Sequence, residues 1–312
     1  MQQDKIISFL KLCFKDDFPR FDIDGFLQCS GKTISGNISN LSFEGTRFNF
    51  DFKNKKLLHF TSLNKLKSIL ESECLWGSNF NKFNDTKEML LAAESIFKIT
   101  DSEMRKAKDG LFALSLTEMR ENDVKENYEY LWKNYGNDFK GVAIELEITR
   151  YSSVYYPLSV QYVKKGEIEK EDIIINMRKY YDEYFNDTTF NESVACFLYP
   201  LFCAYKVQKY QDENEVRIFN LHPNFGNLPL PIEDGKDGIK FYINENNEPV
   251  YYWNLPLAFP NDGTENAKYV RLNKIYVGKK AFDCNSDNNI TAEIICIYLE
   301  RLCNKKGVKI NY

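Results

Sequence analysis

An α+β fold is predicted by three features of the chain. Apolar residues recur with period two in several short runs, apolar residues at helical spacing fill the stretches between, and the two kinds do not alternate in a regular βαβ rhythm. A doubly wound sheet is therefore not expected. The 312 residues suffice for one large domain or two small ones, and no internal repeat or low-complexity tract divides them.

The elements follow in chain order. Residues 3–15 carry Ile6, Phe9, Leu10 and Cys13 on a broad helical face. Residues 32–52 alternate, ending in Phe48, Phe50 and Phe52, and predict a β-rich piece punctuated by Gly36 and Gly45. Leu57–Thr61 is a strand, and Thr61 or Ser62 caps a helix that buries Leu63, Leu66, Ile69 and Leu70. Helices are predicted over 85–98, 126–135, 167–184, 193–205 and 290–304, and strands over 111–116, 141–148, 160–163, 269–277 and 308–312. Residues 221–266 are rich in Pro, Gly and Asn; they predict a loop-rich insertion or lid with at least one strand, Ile239–Ile243.

Composition narrows the function classes. A net charge of −4 does not describe a bulk polyanion binder. The region after Met1 lacks the marks of a signal peptide, and the longest apolar run, 194–205, is broken by Pro200 and too short to span a bilayer. A cytoplasmic protein without membrane contact is expected. The eight cysteines are scattered with no C-x-x-C pair, and read as core residues rather than disulfides. Two histidines and no cysteine cluster argue against a zinc site, so no metal is expected. No G-x-S-x-G elbow or G-x-G-x-x-G turn occurs. Gly31-Lys32-Thr33 looks like the tail of a P-loop, but position 26, which needs glycine, is Phe.

The chemistry points to residues 211–220, Gln-Asp-Glu-Asn-Glu-Val-Arg-Ile-Phe-Asn. On a strand, Glu213, Glu215 and Arg217 share one face, and Val216 and Ile218 the other. Two carboxylates so close repel, so fold stability alone does not favour them. Paired carboxylates on a rigid element are what glycosidic-bond chemistry uses. Taken alone, the motif also reads as a solvent-facing edge strand with a Glu–Arg pair. Other candidates stand at element ends: His59 and Thr61 before a helix start at Ser62; Leu75-Trp76-Gly77-Ser78; Phe83-Asn84-Asp85; Ser115 on a buried strand; and Trp132-x-x-Tyr135. Singly, each reads as core, cap or packing.

In order, H-F-T-S, L-W-x-S, F-N-D, F-x-x-S, W-x-x-Y with K-G-V, E-x-E-x-R and a late strand ending in Gly resemble a bacterial family of unknown function, itself similar to ADP-ribosyltransferases of the His–Tyr–Glu type. The resemblance spans residues 57–278. It implies a mixed, split β-sheet core of ADP-ribosyltransferase-like type over 57–312, with helices around it and residues 1–56 as a helix-plus-β N-terminal extension. It also implies NAD as substrate and mono-ADP-ribosylation of a protein or nucleic acid, as in a toxin or a phage-defence effector. Glu215 would stabilise the oxocarbenium-like state at the ribose, and Glu213 would orient the acceptor or raise the pKa of its neighbour. Arg217 would hold a carboxylate or a phosphate. His59, with Thr61, would grip the adenosine-side ribose; Ser62, Ser78, Asn84 and Ser115 would line the cleft. Trp76, Phe83, Trp132 and Tyr135 are the aromatics available to stack on nicotinamide. Phe60 stands where the family often has Tyr, and the middle Tyr of the triad is not fixed by the motifs. NAD hydrolysis, and a non-catalytic nucleotide-binding or sensor module, are the alternatives.

Overall fold

A computed structural model describes residues 2–14, 27–30, 33–36, 43, 45–83, 89–97, 99, 102–103, 108, 111–152, 155–164, 166–185, 198, 201–220, 239–244, 246–261, 263, 268–282 and 289–312. Helix α1 (Gln2–Phe14) opens the chain. The hairpin β1 (Leu27–Ser30) and β2 (Thr33–Gly36) follows. Then come β3 (Leu57–Thr61), α2 (Leu63–Ser72), β4 (Cys74–Asn79), α3 (Leu90–Ile96) and β5 (Phe112–Glu118). Two short helices, α4 (Val124–Asn127) and α5 (Glu129–Asn134), precede β6 (Val142–Ile148), β7 (Tyr155–Ser159) and β8 (Gln161–Val163). Helix α6 (Asp172–Phe185), β9 (Tyr205–Val207), a 3-10 helix (Gln208–Glu213) and β10 (Glu215–Asn220) come next. The chain closes with β11 (Ile239–Ile243), β12 (Pro249–Ala258), β13 (Val270–Val277), α7 (Asn289–Lys306) and β14 (Lys309–Asn311).

The architecture is mixed α and β around one ten-stranded sheet. The sheet does not stay split open as expected. Strands β4, β12, β13, β6, β3 and β5 pair in a ring and close a six-stranded barrel. Closure removes edges that an open sheet would leave unpaired. The interior is apolar, with Leu75, Leu114, Ile144, Leu146, Trp253 and Leu255 in one buried cluster. Strands β10 and β7 extend the sheet from the other edge of β5, and β11 extends it beyond β12. A second buried cluster packs α1, α3 and α6 together; Phe9 of α1 lies edge-on to Tyr181 and Phe185 of α6. The segment 1–56 gives Phe9, Phe43 and Phe48 to that cluster, and Phe50 and Phe52 to the barrel cluster.

One seam of the barrel is only partly sewn. The edge of β5 away from β10 pairs with β4 at Phe112 and Ala113, and with β3 at Thr117 and Glu118. Between those points, residues 114–116 have neither neighbour. Strand β3 runs on instead with β6, as far as Thr61↔Val142. The gap between β3 and β4 on this edge is where the candidate cleft opens.

Several sequence expectations change. The alternation of Phe48, Phe50 and Phe52 is real in burial, but that stretch is no strand: it lies along β7 with a single bridge, Asn49↔Leu158, after turns closed by Phe43 and Thr46 carbonyls. The helix expected over 126–135 breaks at Tyr128. The helix expected over 193–205 ends short, because Tyr205 begins β9, parallel to β8. Strand β7 is not among the sequence expectations; its Pro157, which removes a ladder donor, is tolerated because β7 ends the sheet. The largest correction concerns 221–266. Far from being loop, 249–258 is a ten-residue strand of the barrel wall. Residues 84–88 and 221–238 lie outside the described residues.

Candidate functional site

Strand β10 does not begin where alternation placed it. Glu213 ends the 3-10 helix, Asn214 adopts a left-handed conformation with φ 42°, and Glu215 is the first strand residue. Asn tolerates that conformation better than most residues. The two carboxylates therefore meet across a kink, not along one strand face. Val216 and Ile218 do face the barrel core, as expected. The opposite face is no solvent-facing edge: Glu213, Glu215 and Arg217 are all buried.

What compensates the repulsion is a dense set of donors. The Arg217 guanidinium donates from Nε to Glu215 Oε1 at 2.7 Å and from Nη2 to Oε2 at 2.9 Å, a bidentate grip. The Ser115 hydroxyl donates to Glu215 Oε1, and Lys206 Nζ donates to Oε2 at 3.0 Å. Lys206 also donates to Glu213 Oε2 at 2.6 Å, and the Tyr135 hydroxyl to Glu213 Oε1 at 2.7 Å. Burial pushes the Glu215 carboxyl up, but the Arg217 and Lys206 charges and the Arg217 and Ser115 hydrogen bonds outweigh it, leaving it at about 2. Burial and the Glu213 carboxylate raise the Tyr135 phenol, which stays protonated as the donor.

His59 closes the constellation from the other side of the gap. Its Nδ1 lies 3.3 Å from the Ser115 carbonyl oxygen, on the stretch of β5 that β3 and β4 leave unpaired. Burial lowers its pKa to about 4; the Ser115 carbonyl opposes that and Lys65 adds to it. The ring is therefore neutral at pH 7, with the proton on Nδ1 facing the carbonyl and Nε2 left as an acceptor.

A cleft of about 870 Å³ gathers these groups. His59, Thr61, Ser62, Ser115, Tyr135 and Glu215 line it together with Trp76, Ser78 and Phe83. A smaller recess of about 120 Å³ joins His59, Ser115, Tyr135, Glu213 and Glu215. Residues 156 positions apart in the chain thus share one wall. Ser62 does cap α2, accepting from the Lys65 amide, so the start of that helix also faces the cleft. Asn84 lies outside the described residues.

Two expectations are corrected. Arg217 lines neither cavity; it is fully buried, with Nη1 donating to the Cys203 carbonyl at 2.6 Å and Phe80 and Phe83 against its faces. It holds the carboxylate and is not placed to hold a phosphate. Trp132 is core, with its indole N–H on the Val124 carbonyl. Sequence reasoning missed Lys206, which the helix expected over 193–205 placed just past its end; Tyr252, in a stretch read as loop; and Tyr242, whose strand Ile239–Ile243 was expected but not its place at the cleft. The alternation of Tyr205, Lys206 and Val207 was the available signal for the first. Among the described residues no cluster of three or more His, Cys, Asp or Glu could hold a metal, and no helix is long and apolar enough to cross a membrane. No protein-family model, curated protein or solved structure matches the chain.

Proposed function

We propose that the cleft binds NAD and that the protein is a mono-ADP-ribosyltransferase of the His–Tyr–Glu type acting on a macromolecular acceptor. The observation that carries this reading is the recess in which His59, Tyr135, Glu213 and Glu215 meet. The triad tyrosine left open by the motifs is then Tyr135. In the reaction, the C1′–N bond breaks with its electron pair passing to the cationic nicotinamide ring. A bond forms from the acceptor nucleophile to C1′, and the acceptor loses its proton. Glu215, held ionised, stabilises the positive charge that develops at the ribose. The neutral His59 offers Nε2 to a ribose hydroxyl. Glu213, anchored by Tyr135 and Lys206, shares the recess with Glu215 and can take the acceptor proton. The Ser115 hydroxyl is the one neutral donor on the Glu215 carboxylate, and it is the one a ribose hydroxyl would displace.

The test is nicotinamide release from NAD in the presence of cell extract. Wild-type protein is expected to release it and to label a macromolecule with ADP-ribose, and Glu215→Gln to abolish release while keeping the far-UV circular dichroism. Absence of release with every extract tried would refute the proposal. ADP-ribose found only free in solution would instead mark a hydrolase.

One observation favours a second reading, a nucleotide-binding module without turnover. Glu215 already accepts four donors, as many as an ionised carboxylate can hold. Calorimetry distinguishes the two: tight NAD binding with no nicotinamide release supports the module.

A further inference from the structure

We infer that the end of the cleft away from the carboxylates is a base-stacking subsite, formed by Trp76, Tyr242 and Tyr252, that takes the adenine ring of the nucleotide. This rests on reading the cleft as an NAD site and adds which base lies where.

The wall is built by strand register. Trp76 and Ser78 point outward from β4, while Leu75 and Gly77 point into the barrel. Tyr252 stands opposite Ser78, and Tyr242 opposite Val250 on the neighbouring hairpin. The Trp76 and Tyr252 rings stack with centroids 4.3 Å apart, and Tyr242 lies 6.1 Å from Trp76. All three line the cleft. The wall is nonetheless open to water: Trp76 is 41% and Tyr242 45% exposed, whereas the other two tryptophans are fully buried. Large π-faces held in place inside a cavity and left wet are what a planar heterocycle stacks on.

Sheet order sets the distance. From β10, which carries Glu215, the strands run β5, β4, β12, β11. At about 4.8 Å per strand, Trp76 stands about 10 Å and Tyr252 about 14 Å from the line of the carboxylate. The bond that breaks in NAD joins nicotinamide to its ribose, so that half must lie by Glu215. The second base, an uncharged purine, then falls at the aromatic wall. The exposed side chains of Lys65 and Lys82 line the same cleft and are available to the diphosphate that joins the halves.

Trp76 makes its own reporter, because it is the one exposed tryptophan of the three. Tryptophan emission of the full chain is titrated with AMP, nicotinamide mononucleotide and ribose 5-phosphate. Saturable quenching by AMP, and none by ribose 5-phosphate, is expected. Trp76→Leu and, separately, Tyr252→Leu should each weaken AMP binding, measured by calorimetry, at least about ten-fold. Quenching by nicotinamide mononucleotide as strong as by AMP, no saturable response to AMP up to millimolar concentration, or unchanged AMP affinity in both variants would each overturn the assignment. Nicotinamide release measured alongside separates the two readings. Release without AMP binding leaves the transferase standing and removes the subsite; AMP stacking without release does the reverse.

Discussion

The two ends of the cleft are made in opposite ways. At the charged end, Glu213, Glu215, Lys206 and Arg217 are all buried, and each carboxylate oxygen has a donor within hydrogen-bond distance. At the aromatic end, Trp76 and Tyr242 stand half in water and stack on neighbouring rings. The charged groups are fixed by folding itself, since none of them can be buried without the others. The rings keep apolar area exposed that a ligand can still cover. A site that must stabilise charge needs the first arrangement, because dipoles set beforehand cost no reorganisation during reaction. A site that must gain affinity needs the second.

The sharpest way to break this contrast is Arg217→Met. It leaves the Glu215 carboxylate buried with half of its donors gone, and removing one partner of a buried pair typically costs about 3–5 kcal/mol. Urea unfolding should show a loss of that size. A loss under about 1 kcal/mol would mean that the charged end is not held by its own pairing.

Acid unfolding probes the same end group by group. His59 has its folded pKa at about 4, below its ordinary 6.5. Between those values the unfolded chain binds the proton more tightly, so stability present above pH 6.5 is lost as pH falls toward 4. Glu215 lies at about 2 against an ordinary 4.5, so its contribution is present above pH 4.5 and is lost as pH falls toward 2. Glu118 and Glu147, lowered despite partial burial by Lys55 and by Arg271 respectively, join this lower window and not the upper one. Wild-type Tm should therefore decline in two successive ranges. His59→Gln should flatten the decline between pH 6.5 and 4 and leave the lower range as it was. An unchanged upper range would show that the imidazole is not held neutral.

How far the sequence revealed this can be argued strand by strand. β3 and β6 were legible as short apolar runs, which suit strands buried on nearly every side, and the inward face of β10 by the alternation of Val216 and Ile218. Ser62 was legible as a cap because its hydroxyl does what isolated helices require. Strand β12 was hidden by Pro249 and Pro256, which read as loop. Pro249 is the first residue of the strand, where proline is allowed. At Pro256 the explanation is topological. The Leu257 amide donates toward β4, at the Glu73 carbonyl, so the position before it faces the other edge, between the end of β11 at Ile239↔Trp253 and the start of β13 at Leu257↔Val270. Among the described residues no strand takes a donor there, and only the assembled sheet shows that. The carboxylate pair was found for a partly mistaken reason: alternation brought Glu213 and Glu215 together on paper, and the left-handed Asn214 brings them together in fact. Lys206 belongs to β9, which runs directly into the 3-10 helix; its alternation marks a strand, but nothing local marks it as the counter-charge of Glu213 and Glu215.

The smallest expected effect tests the other end. Trp76→Ala removes the largest side chain of the aromatic wall, yet it should cost the fold only about 1 kcal/mol or less, the worth of its stacking on Tyr252. The reason lies on the opposite face of the same strand. β4 is seated by Leu75 in the barrel core and by Gly77, where an added Cβ would meet the Trp253 ring at 2.4 Å. Position 76 itself contributes nothing inward. Thermal unfolding of Trp76→Ala beside Gly77→Ala separates the two faces: the glycine variant forces the buried indole to move and should lose about 1–3 kcal/mol. If the tryptophan variant proved the more damaging, its ring would be a structural prop, and the exposed wall would lose its claim to be kept for a ligand.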